Sequence, residues 1–172
     1  LDDLRAPNGA LLPVIDTGSA QVFTTSDGRF RLFFRAGEPL RVDMDGQAID
    51  LALSNGAVPG AVALDHEFAT VGAITGSDVQ IFQQHIFVGV FPLDLPESKL
   101  TPALFLPDAA GLAVVAGESA LVMLDVSGRI LARAELSTPR GAAACAADGE
   151  RIAVVDAAGE WLRLFDGDLV LS

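Results

Sequence analysis

Gly37, Gly76, Gly117 and Gly159 recur at separations of 39, 41 and 42 residues, each in a turn between two apolar runs. Two further sets of turn markers flank them. Asp27-Gly28, Asp65-His66-Glu67, Asp108 to Gly111 and Asp148-Gly149 come earlier in each unit. Asp45-Gly46, Gln83-Gln84, Ser127-Gly128 and Asp166-Gly167 come later. Three turns per unit separate four strands per unit, so the chain reads as four antiparallel meanders of about 41 residues each. One such unit cannot bury its own faces, and the units must therefore stack on one another.

In register, the first unit reads AQVFTTSDG, RFRLFFRAG, EPLRVDMDG and QAIDLAL, and the second AVALDHE, FATVGAITG, SDVQIFQQ and HIFVGVF. The third reads PALFLPDAAG, LAVVAGES, ALVMLDVSG and RILARAEL, and the fourth AAACAADGE, RIAVVDAAG, EWLRLFDG and DLVLS. The predicted units are 20–56, 57–98, 99–138 and 139–172. Hydrophobic residues make up 51% of the chain. They are cut into pieces of about four to eight, short of the roughly 18 that a membrane span needs, which predicts an all-β chain with no membrane insertion. Leu112 to Val115 and Ile152 to Val155 are apolar on successive residues. That pattern predicts central strands covered on both faces. The Asp-Gly pairs supply the positive φ of tight hairpins.

The third strand of several units ends in an apolar residue followed by Asp: Leu121 to Asp125 (LVMLD), Leu162 to Asp166 (LRLFD) and Leu40 to Asp43 (LRVD). This resembles the WD-repeat β-propeller pattern and the related quinoprotein-like and NHL-type repeats, across most of residues 20–172. The sequence departs from it in having no Trp in the apolar slot and no Gly-His pair opening the units. The resemblance implies propeller blades. Four blades is the lower limit of that architecture. Residues 1–19 carry the Asn8-Gly9 turn and then ALLPVIDTG, read as a strand that closes a small ring or ends a preceding blade. The last unit has only a short fourth strand. Both ends predict a slice of a larger ring, or a ring completed by another chain. A β-sandwich is the rival fold.

Acidic residues number 23 against 11 basic ones, a formal charge of −12, with Lys99 the sole lysine. Such a surface repels phosphate backbones and anionic membranes, which argues against nucleic acid as a partner. In a four-stranded meander the first and third turns open on one side and the second turns and linkers on the other. The first side collects Asp27, Asp45, Asp65, Glu67, Asp108, Asp148, Glu150, Asp166 and Asp168. The second holds Glu38, Glu118 and Glu160 with Lys99, Arg140 and most of the prolines. The proline-rich side is the expected docking surface. Cys145 is alone, so no internal disulfide forms, and no basic-then-apolar leader opens the sequence. These features lean towards a cytoplasmic setting over a periplasmic or secreted one.

Among candidate sites, Asp43, Asp45 and Asp50 in DMDGQAIDL space oxygen ligands around a Gly bend, as a calcium loop does, and resemble integrin-type propeller loops. Arg41 stands where that loop would place its first ligand, and the other units lack the pattern, so an acidic hairpin turn is the simpler reading. His66 and His85, the two histidines, fall in or beside turns, without a Gly-x-Ser-x-Gly elbow. Cys145 lies in an Ala-rich first strand with no basic residue within four positions, which fits an inert thiol. Trp161, the one tryptophan, is read as packing between units, and Arg29, Arg31 and Arg35 either as contacts for a partner carboxylate or as side chains snorkelling at an exposed edge. The expectation is a non-catalytic protein-interaction or scaffold module of a larger assembly, with no cofactor unless calcium. The alternatives are a propeller-type lyase, hydrolase or quinoprotein-like dehydrogenase with a central-channel site, and a calcium-stabilised ligand-binding domain.

Overall fold

The computed structural model contains fifteen short strands among the described residues. It describes residues 20–93, 103–106, 113–145 and 151–171, apart from Ala36, His66, Phe68, Val126 and Gly167. The predicted strand at 1–19, together with Lys99, Asp108, Asp148 and Glu150, lies outside the described residues. The strands are β1 (Gln21–Thr24), β2 (Phe30–Phe34), β3 (Leu40–Met44), β4 (Gln47–Leu51), β5 (Ala61–Leu64), β6 (Thr70–Thr75), β7 (Asp78–Gln83) and β8 (Ile86–Pro92). They continue with β9 (Ala103–Phe105), β10 (Ala113–Ala116), β11 (Ala120–Leu124), β12 (Ile130–Glu135), β13 (Arg140–Cys145), β14 (Arg151–Asp156) and β15 (Leu162–Asp166).

They form four antiparallel sheets in chain order: β1-β2-β3-β4, β5-β6-β7-β8, β9-β10-β11-β12 and β13-β14-β15. The strands of the four sheets span 21–51, 61–92, 103–135 and 140–166. A single bridge from Phe165 to Leu171 stands where the last sheet would have a fourth strand.

Three apolar layers hold the sheets together. Phe23, Leu32, Phe34, Leu40 and Val42 of the first sheet pack on Val62, Val71, Ala73 and Phe82 of the second. Ala61, Ile74, Val79 and Ile81 on the opposite face of the second sheet meet Val115, Ala120, Val122 and Leu124 of the third. Val114, Ala116, Leu121 and Met123 of the third meet Ile152, Val154 and Phe165 of the fourth. The second and third sheets are thus covered on both faces, which is why β6, β10 and β11 run apolar on consecutive residues, while β7 carries Gln80 between Val79 and Ile81. The first strands also approach one another in sequence: β1 lies near β5, β5 near β9, and β9 near β13.

The linkers are fastened by a device used twice. The Ser54 amide donates to the Gln80 side-chain oxygen at 2.9 Å, and the Gln80 amide nitrogen donates to Thr75 Oγ1 at 3.1 Å. Arg163 donates to Ser137 Oγ across the same 26-residue separation. Through the ladders, Gln80 pairs with Ala73 and Arg163 with Val154, matching positions of the second and fourth sheets. Each polar side chain therefore reaches back from its sheet to the preceding linker.

Two expectations are corrected. In β14, Ile152 and Val154 are buried but Ala153 and Val155 are only half-buried, so consecutive apolar residues there do not mean two covered faces. Trp161 is 65% exposed and does not pack between sheets. The first sheet, by contrast, alternates: in β3, Leu40 and Val42 are buried while Arg41 faces outward.

Candidate functional site

The turns carry most of the acidic residues, and their carboxylates are occupied locally. Asp27 Oδ1 accepts the Arg29 amide at 3.0 Å and the Thr25 hydroxyl at 2.8 Å. These bonds favour the carboxylate and hold its pKa below the ordinary value, the Arg29 amide first and the Thr25 hydroxyl next. Asp125 Oδ1 accepts the Ser127 hydroxyl at 2.6 Å and the amides of Ser127 and Arg129 at 2.9 Å each. The Ser127 hydroxyl is the chief cause of its lowered pKa. Asp166 Oδ1 accepts the amides of Asp168 and Val170, and Asp65 Oδ1 the amide of Glu67. The Asp that ends the third strand of a unit is thus a turn fastener, as Asx-turn chemistry requires.

Asp43, Asp45 and Asp50 are not brought together. Asp43 Oδ1 accepts the Gly46 amide at 2.8 Å inside its own hairpin. Asp45, at φ +52° beside Gly46 at +83°, forms the two-residue turn, and its carboxylate receives Arg29 Nε and Nη2 at 2.7 and 2.9 Å. That two-pronged bond lowers the Asp45 pKa and raises that of Arg29. Asp50 lies directly across the ladder from Arg41 and accepts its Nε at 2.9 Å. Among the described residues, no three His, Cys, Asp or Glu side chains are grouped as metal ligands.

Two concavities flank this region. One of about 160 Å³ lies between the first and second sheets on the turn side, lined by Asp27, Arg29, Asp45, Glu67 and Gln84. Three carboxylates face one guanidinium there, and that guanidinium is already bonded to Asp45. The other, about 550 Å³, spreads over the outer face of the first sheet between Phe33, Arg35, Glu38, Arg41, Asp43 and Asp50. His85 sits exposed in the turn between β7 and β8, the two strands of its sheet farthest from β5. His66 lies outside the described residues. Arg35 pairs with Glu38 at 3.0 Å, and Arg31 stands exposed on the first sheet's outer face.

A different feature concentrates exposed apolar surface: strand β8, the edge of the second sheet. Ile86, Phe87, Val88 and Val90 are all exposed, Ile86 to 62%. The seven residues of β8 carry no charge. Of the usual protections of an edge strand, β8 lacks charge and short length and has a bulge and a terminal Pro92. Its one irregularity is a register shift opposite Ile81 and Phe82, where Val88 is the extra residue. Phe87 stays anchored by edge-to-face contact with Phe82, ring centroids 5.4 Å apart. Sequence reasoning assigned β8 as a strand but did not single it out. The signal was present in IFVGVFP, an uncharged run on the last strand of its unit.

No helix is long and apolar enough to cross a membrane among the described residues. No protein-family model matches the chain, and no curated protein matches it.

Proposed function

We propose that the chain is a non-catalytic protein-interaction module of a larger assembly, built from propeller-type blades. The blade reading is supported by four meanders in chain order, consecutive proximity of their first strands, and three apolar layers between successive sheets. The observation that carries the interaction is β8. An uncharged edge strand with exposed Ile86, Phe87, Val88 and Val90 offers both unpaired backbone groups and apolar side chains, which is what strand addition by a partner uses. Surface of this kind marks interaction sites on soluble proteins.

The test is affinity capture and native mass measurement of wild type beside Ile86→Lys and Val88→Lys. Both positions are exposed, so the substitutions leave the core intact. Partners that bind wild type and are lost from both variants support the reading. An inert monomer, or an identical partner set from all three proteins, overturns it.

A further inference from the structure

We propose that the outer face of the fourth sheet docks one further antiparallel sheet of this same repeat type, one whose own facing side is apolar. The inference rests on the stacked-blade reading above. It comes from the ladder registers, which place four residues of the second and third strands of each sheet on the face turned towards the next sheet. In the first sheet these are Leu32, Phe34, Leu40 and Val42, and in the second Gly72, Ile74, Val79 and Ile81. In the third they are Val114, Ala116, Leu121 and Met123. All twelve are buried by the following sheet. The same positions of the fourth sheet hold Ala153, Val155, Leu162 and Leu164. They are equally apolar, yet Leu162 is 63% and Leu164 36% exposed. The stack's apolar surface continues one layer beyond its last sheet.

The first sheet of this chain does not fit that face. Its corresponding side presents Arg31, Phe33, Arg41 and Asp43. Laid on Leu162 and Leu164, it would strip water from two guanidinium groups and a carboxylate, with the Arg41–Asp50 pair as the one ready compensation. That excludes closure by the chain's own first sheet and head-to-tail stacking of copies. Two copies meeting face to face through the fourth sheet are also disfavoured. Three strands of five or six residues give a footprint of roughly 300 Å², well under the about 800 Å² per partner of a stable association. A sheet with a facing side like Val71, Ala73, Gln80 and Phe82 matches in chemistry, being the kind already seated on the first sheet. A linker supplies the effective concentration that so small a contact needs.

The experiment extends the full chain after Ser172 with a second copy of residues 57–98, and in a parallel protein with a copy of residues 99–138. A control appends residues 20–56, whose facing side is charged. Hydrogen exchange at β14 and β15 is the readout. At least tenfold slower exchange in one of the first two fusions, abolished by Leu162→Asp with Leu164→Asp and absent from the control, is the expected result. Unchanged exchange in both fusions overturns the inference, as does equal protection by the control. A native-mass dimer of the unextended chain that Leu162→Asp dissolves also overturns it, because a second copy would then be the occupant. Partner capture through β8 is read separately in the unextended chain, so either proposal can fail without the other.

Discussion

The backbone amide of Ser54 is held by the side-chain oxygen of Gln80, 26 residues later, at 2.9 Å. Gln80 is one of the few buried polar residues among those described, and it stands beside a layer of Leu, Val, Ala and Phe. Its amide ties the linker between the first two sheets to the third strand of the second. Gln80→Leu keeps the volume but leaves the Ser54 amide without that acceptor. A loss of about 1–3 kcal/mol is expected, the cost of an unsatisfied buried donor. Urea unfolding of the two proteins measures it, and a loss under about 0.5 kcal/mol would show that water replaces the bond.

Phe91, at the end of β8, packs against the turn between β11 and β12. Its ring fills the space that a Cβ on Gly128 would occupy. Gly128 also has φ +80°, which L side chains rarely adopt. Gly128→Ala should therefore cost about 1–3 kcal/mol through backbone strain and overpacking combined. In a double-mutant cycle, Phe91→Ala removes the collision but not the strain. The alanine at 128 should then cost measurably less in the Phe91→Ala background.

The turns were legible because their chemistry is local. Asp-Gly at 45–46 and Ser-Gly at 127–128 fix a hairpin within four residues, and an Asp such as Asp125 fastens the turn it begins. Strand positions followed from the apolar runs between turns. The faces were less legible, since burial of a strand depends on a sheet some 40 residues away. Ala116 and Val155 hold matching ladder positions, but Ala116 is covered by the fourth sheet while Val155 is only half-buried. In LRVDM, residues 40–44, buried Leu40 and Val42 alternate with exposed Arg41, as a strand with one solvated face requires. The Arg29–Asp45 bond joins two turns and has no sequence signature beyond opposite charge.

Acid should loosen the turns before it reaches the core. Asp27, Asp45 and Asp125 all have pKa values lowered in the folded protein. Such groups contribute stability that is present above the unfolded carboxylate value of about 3.9 and is lost as pH falls through the lowered folded values. Asp125→Asn keeps an acceptor for the turn amides but does not titrate. Unfolding free energy measured from pH 7 down to about pH 2.5 should fall less steeply in the variant below roughly pH 4. Parallel curves for the two proteins would refute the assignment.

Millimolar Ca²⁺ is expected to leave the melting temperature unchanged. Arg29 and Arg41 already occupy Asp45 and Asp50, and the Asp43 oxygen is bonded within its hairpin. A cation would have to displace two guanidinium groups to assemble three carboxylates that do not converge. Thermal melts in Ca²⁺ and in chelator check this. A rise of several degrees with Ca²⁺ would restore the loop at Asp43 to Asp50 as a binding site.

Leu121 and Leu162 occupy matching positions of the third and fourth sheets, Leu121 across the ladder from Ala116 and Leu162 across from Val155. Their surroundings differ in two respects: Leu121 is covered by a following sheet and flanked by Ala134 of β12, whereas Leu162 lies on the last strand of a three-stranded sheet. Leu121 is fully buried beneath β14 and β15, so Leu121→Ala removes contacts on all sides and should cost about 2–5 kcal/mol. Leu162 is exposed, and Leu162→Ala in the same chain should change stability by no more than about 0.5 kcal/mol. The two substitutions are chemically identical, so the gap between them measures what a stacked sheet and a flanking fourth strand together contribute at this position. If a further sheet docks on the outer face, the cost of Leu162→Ala in the extended protein should rise towards that of Leu121→Ala. A Leu162→Ala cost already near 2 kcal/mol in the unextended chain would mean that the face is covered by some other part of the protein.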